Sequence, residues 1–121
     1  ILEILGRKDT AINSGGETIY PEILEERLLT SAKSAKLPIE NLLFLPINDE
    51  EWGNRIIALV RLENNRRKKD SREIIIKLKE IVQAWLPAER PRVWKECPEL
   101  EINKIGKWER RKWEAWIQNN Q

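Results

Sequence analysis

Two apolar runs, Leu42 to Ile47 and Arg55 to Leu62, are joined by the polar connector Asn48-Asp49-Glu50-Glu51-Trp52-Gly53-Asn54. β-Branched residues are enriched across the runs and the connector holds a glycine, a pattern that predicts an antiparallel hairpin. Every other segment has to be placed around that hairpin.

After it, Asn64 to Lys69 reads as a polar, basic loop. Asp70-Ser71-Arg72-Glu73 has the acid-x-x-Glu spacing of a helix start. Ile74, Leu78, Ile81, Val82 and Trp85 then recur at helical spacing, which predicts a helix over 71–86, ended by Pro87. Arg92 to Lys95 is predicted as a third strand. A turn at Gly106 leads to a last helix over 108–118 with Trp113, Trp116 and Ile117 on one face. Before the hairpin, residues 2–5 and 17–20 read as short extended pieces around a loop in which Gly15-Gly16 permits a tight reversal. Pro21 suits the first position of a helix. Its apolar stripe is read as Ile23, Leu24, Arg27 and Leu28, and it fades near Ser34. The order is small hairpin, helix, two strands, helix, strand, helix. It predicts an α+β fold with helices packed on a small sheet.

Composition narrows what such a domain does. The 121 residues suit one domain, 1–121, with one core. The chain has no histidine, which removes Ser-His and Cys-His nucleophilic pairs and His-based metal sites, so no metal site is expected. Cys97 is the lone cysteine and forms no intrachain disulfide, which suits a reducing compartment. The runs Ile74 to Ile76 and Ile56 to Val60 are far too short for a membrane span, and the N-terminus lacks a basic leader, so a cytoplasmic location is expected. The absence of methionine, with an extended segment starting at residue 1, is expected of a fragment of a longer protein. The net charge of +2 is that of a mixed, solvated surface; a nucleic-acid binder carries a stronger bias.

Two segments stand out because core packing does not explain them. Gly6-Arg7-Lys8-Asp9 with Ser14-Gly15-Gly16-Glu17 reads either as a surface hairpin or as a loop whose backbone approaches another molecule closely. Asn103-Lys104-Ile105-Gly106-Lys107 reads either as a solvated turn or as a loop tip delivering a compact positive charge to an anionic site.

Taken in order, these segments resemble adenylate-forming acyl–CoA ligases. Gly6-Arg7-Lys8-Asp9, then Ser14-Gly15-Gly16-Glu17-Thr18-Ile19-Tyr20-Pro21 and Glu25, look like the hinge-region motif of that family. Trp52-Gly53 with Ile56 to Leu62 is similar to its Trp-Gly turn and following strand. Gly106-Lys107 with Arg110-Arg111 looks like its closing Gly-Lys motif. The resemblance implies the C-terminal, mobile lid domain of a larger enzyme, with residues 1–20 as hinge and small hairpin. The partner is the N-terminal domain of the same polypeptide, absent here, which binds ATP with Mg2+ and the carboxylic acid. The acid reacts with ATP to give an acyl adenylate and pyrophosphate, and the thiol of CoA then displaces AMP.

By position, the resemblance makes Lys107 the catalytic residue, bridging the acyl carboxylate and the α-phosphate. Asp9 becomes the hinge and Arg7 a neighbour of the nucleotide. Gly15, Gly16 and Glu17 line the pantetheine tunnel, Trp52 packs on the CoA nucleotide, and Arg90 and Arg92 meet CoA phosphates. The departures are Thr10 in place of a second acid after the hinge, Ile23-Leu24-Glu25 in place of Glu-Ile-Glu, and Glu101 and Asn103 where Pro and Thr are usual. The Trp-rich end, Trp108 to Trp116, is similar to 2-succinylbenzoate–CoA ligases of menaquinone or phylloquinone synthesis. No Gly/Ser/Thr-rich phosphate loop occurs in the chain, so alone it is expected to be inactive. The alternatives from the residues are a small nucleic-acid-binding module using Arg66-Arg67-Lys68-Lys69 and exposed tryptophans, or a partner-binding domain without catalysis.

Overall fold

A computed structural model describes residues 10–64 and 70–120. In chain order its elements are β1 (Ile12–Ser14), β2 (Glu17–Ile19), α1 (Pro21–Ser34), β3 (Ile39–Asp49), β4 (Gly53–Leu62), α2 (Asp70–Ile81), β5 (Pro91–Glu96) and α3 (Arg110–Asn119). Tight helical turns at Val82–Ala84 and Pro87–Glu89 carry the chain from α2 to β5.

The anticipated hairpin is β3–β4, antiparallel, with Phe44 opposite Ala58. β5 adds to β4 in parallel, which requires a crossover, and α2 supplies it. Leu42, Phe44, Ile56, Ala58 and Val60 face a layer built by Leu24 and Leu28 of α1 and Ile74, Leu78 and Val82 of and after α2. Leu43, Leu45, Ile57 and Leu59 face the other way, onto Cys97, Leu100 and Trp113 and Ile117 of α3. A sheet buried on both faces needs apolar residues at consecutive positions, which is why these strands read as unbroken runs rather than alternating ones. Burial pushes the Cys97 thiol up to about 11, so it is a packing residue rather than a nucleophile.

The structure revises several boundaries. Glu17–Ile19 pairs with Ile12–Ser14, a strand not anticipated, while the expected extended piece 2–5 lies outside the described residues, as does the basic run 66–69. The buried face of α1 is Pro21, Leu24, Glu25, Leu28 and Ala32. Arg27 is instead exposed, stacked 5.4 Å over the Trp85 ring and paired with Glu89 at 3.6 Å. That helix ends at Ser34, as expected, and Lys36 just beyond it is in left-handed backbone at φ 58°, with the Leu37 N–H donating to the Ala32 carbonyl at 2.9 Å. α2 gives up α geometry after Ile81, before Pro87, and Trp85 beyond it packs edge-on to Phe44. The side chain of Asp70, read as its cap, lies outside the description. α3 starts at Arg110, so Lys107, Trp108 and Glu109 belong to the preceding loop.

Candidate functional site

Gly15 and Gly16 form the tip between β1 and β2, with φ of 57° and 85°. The β1–β2 turn and the β3–β4 turn meet here. The Gly15 N–H donates to the Trp52 carbonyl at 2.9 Å, and a Cβ at Gly15 would lie 2.7 Å from Cε3 of the Trp52 ring. Around Gly16 a Cβ would meet nothing within 4 Å, and Glu17 beside it is exposed. The tip is thus clamped on one side and open on the other. Gly15→Ala is therefore expected to destabilise the chain by about 1–3 kcal/mol, from left-handed strain plus the ring clash, and more than Gly16→Ala does. Urea unfolding of the two variants checks the ordering.

Trp52 owes its place to Asp49, whose carboxylate accepts the N–H groups of Trp52 and Glu51, both at 3.0 Å. Those donors, Trp52 foremost, hold the Asp49 carboxyl below its usual range. Arg55 lies 4.6 Å over the Trp52 ring. Arg92 stands exposed, 3.9 Å from Asp49. Arg90 is otherwise engaged: it donates to the carbonyls of Trp85 at 3.0 Å and Gln83 at 3.1 Å, fastening the end of the α2 segment. Arg90 and Arg92 nevertheless line one groove with Arg55 and Lys79, a basic strip adjoining the Trp52 turn.

Lys107 lies on a different cleft, of about 470 Å³, lined by Thr10, Glu22, Gly106, Lys107, Trp108, Arg110 and Arg111. Its loop is closed by Asn103, whose side-chain oxygen accepts the N–H of Lys107 at 2.9 Å and of Ile105 at 3.1 Å. The Asn103 N–H in turn donates to the Lys107 carbonyl at 2.8 Å. Upstream, Asn41 and Arg61 both donate to the Leu100 carbonyl, at 3.0 and 3.2 Å. The exposed Lys107 thus rides on backbone fixed by its neighbours, a requirement for placing a charge accurately. Asn103, one of the positions at which the sequence departs from the pattern it resembles, is the one that ties the loop.

Under this cleft lies a cluster whose coming together sequence reasoning missed, although Thr10, Glu25 and Arg110 each figured in its motifs. Glu25 is 6% exposed and accepts the Phe44 N–H at 2.7 Å. Arg110 donates to the Phe44 carbonyl at 2.9 Å and reaches Glu25 at 3.5 Å and Glu22 at 3.4 Å. The Thr10 hydroxyl also donates to Glu22. Burial pushes the Glu25 carboxyl up to about 7, against the opposing pull of Arg110. The signal available was a charged residue on the apolar side of α1.

Gly6, Arg7, Lys8 and Asp9 lie outside the described residues. The tryptophans of the C-terminal end serve packing: Trp113 is buried, while Trp108 and Trp116 pack against the same layer and Trp116 donates to Glu99 at 3.0 Å. A cleft of about 700 Å³ between the sheet and α3, larger than the one at Lys107, contains none of the candidate residues, so size does not locate the site. Among the described residues no group of His, Cys, Asp or Glu is arranged to hold a metal ion, and no helix is long and apolar enough to cross a membrane.

Comparison with known proteins adds the following. No family model matches the chain. Over 60 residues, 50% of this chain, it is 37% identical to the 4-chlorobenzoate–CoA ligase of Pseudomonas sp. (strain CBS-3), of which the match makes up 10%. The acyl-CoA synthetase of Brucella canis superposes on 97% of this chain with 21% of its own, at 25% identity and a TM-score of 0.71. The anthranilate–CoA ligase AuaEII, solved with anthranoyl-AMP, superposes on 92% of this chain with 20% of its own, at 20% identity and a TM-score of 0.74. The fold is the α+β fold of the C-terminal subdomains of acyl-CoA synthetases. The chain spans about a tenth of the curated relative and about a fifth of each of these structures.

Proposed function

We propose that this chain is the C-terminal lid of an ATP-dependent acid–CoA ligase and works only with a larger N-terminal domain. The observation that carries the reading is the separation of two exposed turns: the Gly15 tip held against Trp52, which lines one cleft with Asp49, Arg55 and Arg92, and Lys107 on its Asn103-closed loop, which lines another cleft with no residue in common. A single domain that offers two unlike tips suits a two-step reaction in which each step uses one of them.

In the first step Lys107 holds the carboxylate and the α-phosphate together against their repulsion, while ATP and its Mg2+ rest mainly on the larger domain. Asp9 takes up the backbone change between steps and Arg7 lies by the nucleotide. In the second step the Gly15-Gly16-Glu17 tip lines the passage of the CoA thiol arm. Trp52 gives the CoA nucleotide an aromatic face, and Arg92 with Arg90 gives its phosphates positive charge. Both co-substrates are supplied in the cytoplasm, where the enzyme works. For the acid we propose an aryl carboxylate, supported by the stretch shared with a 4-chlorobenzoate–CoA ligase, and specifically 2-succinylbenzoate, supported by the Trp-rich end.

The test is acid-dependent ATP–pyrophosphate exchange by the intact enzyme with 2-succinylbenzoate, 4-chlorobenzoate and aliphatic acids. Exchange with the first supports the full reading; exchange with another acid corrects the substrate; no exchange with any acid overturns the function. Gly16→Leu enters open space at φ 85° and is expected to leave exchange intact while slowing thioester formation at least about tenfold, roughly 1.4 kcal/mol of barrier. A thioester step at the normal rate removes the tip from the thiol's passage.

A further inference from the structure

We propose that Arg110 is a positioning residue for Lys107, locking the start of α3 to β3 and α1 so that the lysine is presented in the adenylation step. The proposal rests on the ligase reading above.

Three observations converge on it. First, β3 is an edge strand of the sheet β3-β4-β5. The Phe44 N–H donates to Glu25 and its carbonyl accepts from Arg110, so an ion pair takes the place of a neighbouring strand at that residue. An edge position satisfied by two side chains defines their location to within a hydrogen bond. Second, Arg110 opens α3, and the loop bearing Lys107 enters α3 through it. With Asn103 tying the loop on one side and Arg110 on the other, the backbone of Lys107 is held at both ends. Third, Glu22 accepts from both Arg110 and Thr10, the residue that follows the hinge candidate. The chain leaving the hinge and the loop carrying the lysine are therefore fastened to one carboxylate, and a rotation at Asp9 carries Lys107 without slack.

Guanidinium geometry explains why arginine is needed. Its planar fork meets the Phe44 carbonyl with one nitrogen and the two carboxylates with another, whereas a lysine ammonium is a single point on a flexible stem.

The test compares Arg110→Gln, Arg110→Lys and Glu22→Gln with Lys107→Ala in the intact enzyme. Pyrophosphate release reports adenylation, and thioester yield from supplied acyl adenylate reports the second step. Arg110→Gln is expected to lower adenylation about 10- to 100-fold, mainly in kcat, because misplacement of a reacting group by about 1 Å costs that much. The thioester step should stay within about twofold, and Arg110→Lys should recover only part of the loss. Equal loss in both steps, no loss in either, or a loss confined to the KM for ATP overturns the positioning role. If Arg110→Gln does not fold, Glu22→Gln decides, since it keeps the Phe44 contact: slower adenylation with a normal thioester step supports the proposal, and unchanged adenylation overturns it. Lys107→Ala separates the two levels. If it slows adenylation and the Arg110 variants do not, only the positioning role falls; if it does not slow adenylation, the Lys107 role and the positioning role fall together, and only a parent enzyme that releases no pyrophosphate with any acid overturns the ligase reading.

Discussion

Lys107→Ala in the intact enzyme is expected to slow acyl-adenylate formation by about a thousandfold or more, roughly 4 kcal/mol of barrier, while thioester formation from supplied acyl adenylate stays within about threefold. In the proposed adenylation step the carboxylate and the α-phosphate are both anionic, and their approach is what the ammonium would make tolerable. An ammonium counts for most when its position is paid for in advance, and here the loop is already closed by Asn103 through both N–H and carbonyl contacts. Lys107→Arg keeps the charge on a longer, planar head and is expected to recover only part of the rate, since a bulkier cation does not fit a position set for a compact one. Pyrophosphate release in single turnovers measures the first step and loss of preformed adenylate measures the second. Parallel loss in both assigns Lys107 to folding or docking instead of to adenylation.

Glu25→Gln is expected to make the 121-residue chain more stable at neutral pH, by a margin that grows with pH. Burial raises the Glu25 carboxyl from 4.5 to about 7. The folded state therefore binds this proton more tightly than the unfolded state does. The stability linked to the bound proton is complete below about pH 4.5 and is lost as pH rises through about 7, a total on the order of 3 kcal/mol. Glutamine keeps the acceptor for the Phe44 N–H and has no charge to desolvate. Parent and variant should converge near pH 4.5, and urea midpoints should diverge in favour of the variant by pH 7.5. A gap of the opposite sign, or one independent of pH, removes burial as the dominant influence on Glu25. The acid at this position is then a cost to stability, borne for the electrostatic hold on Arg110 rather than for the fold.

The fold was legible wherever burial alone decides the residue type. The apolar run Ile56 to Val60 read as a strand, and Ile74, Leu78 and Val82 as one face of a helix; that the strand is covered on both faces emerged only from the structure. The two exposed tips were legible for the converse reason, since neither paired glycines nor a lysine beside a turn glycine contributes to a core. What escaped notice depends on partners remote in sequence. Ile12–Ser14 is too short and polar to announce a strand, and it is one because β2 pairs with it. Glu25 is buried because Arg110 meets it from 85 positions away. Lys36 takes the left-handed turn usually given to glycine, with nothing local to signal it. Asn103 reads as a departure from a motif until its side chain is seen closing the loop.

Because helices of the same chain seal each face of the central sheet, the large apolar side chains left outside are scattered: Ile76, Leu86, Val93, Ile102 and Ile105 among the described residues. A lobe finished in this way has no greasy seam to tear open when it lets go of a neighbour. On the lid reading proposed above, swings between two docked poses would rupture mainly polar contacts, which water readily replaces, so the turning itself would be energetically shallow.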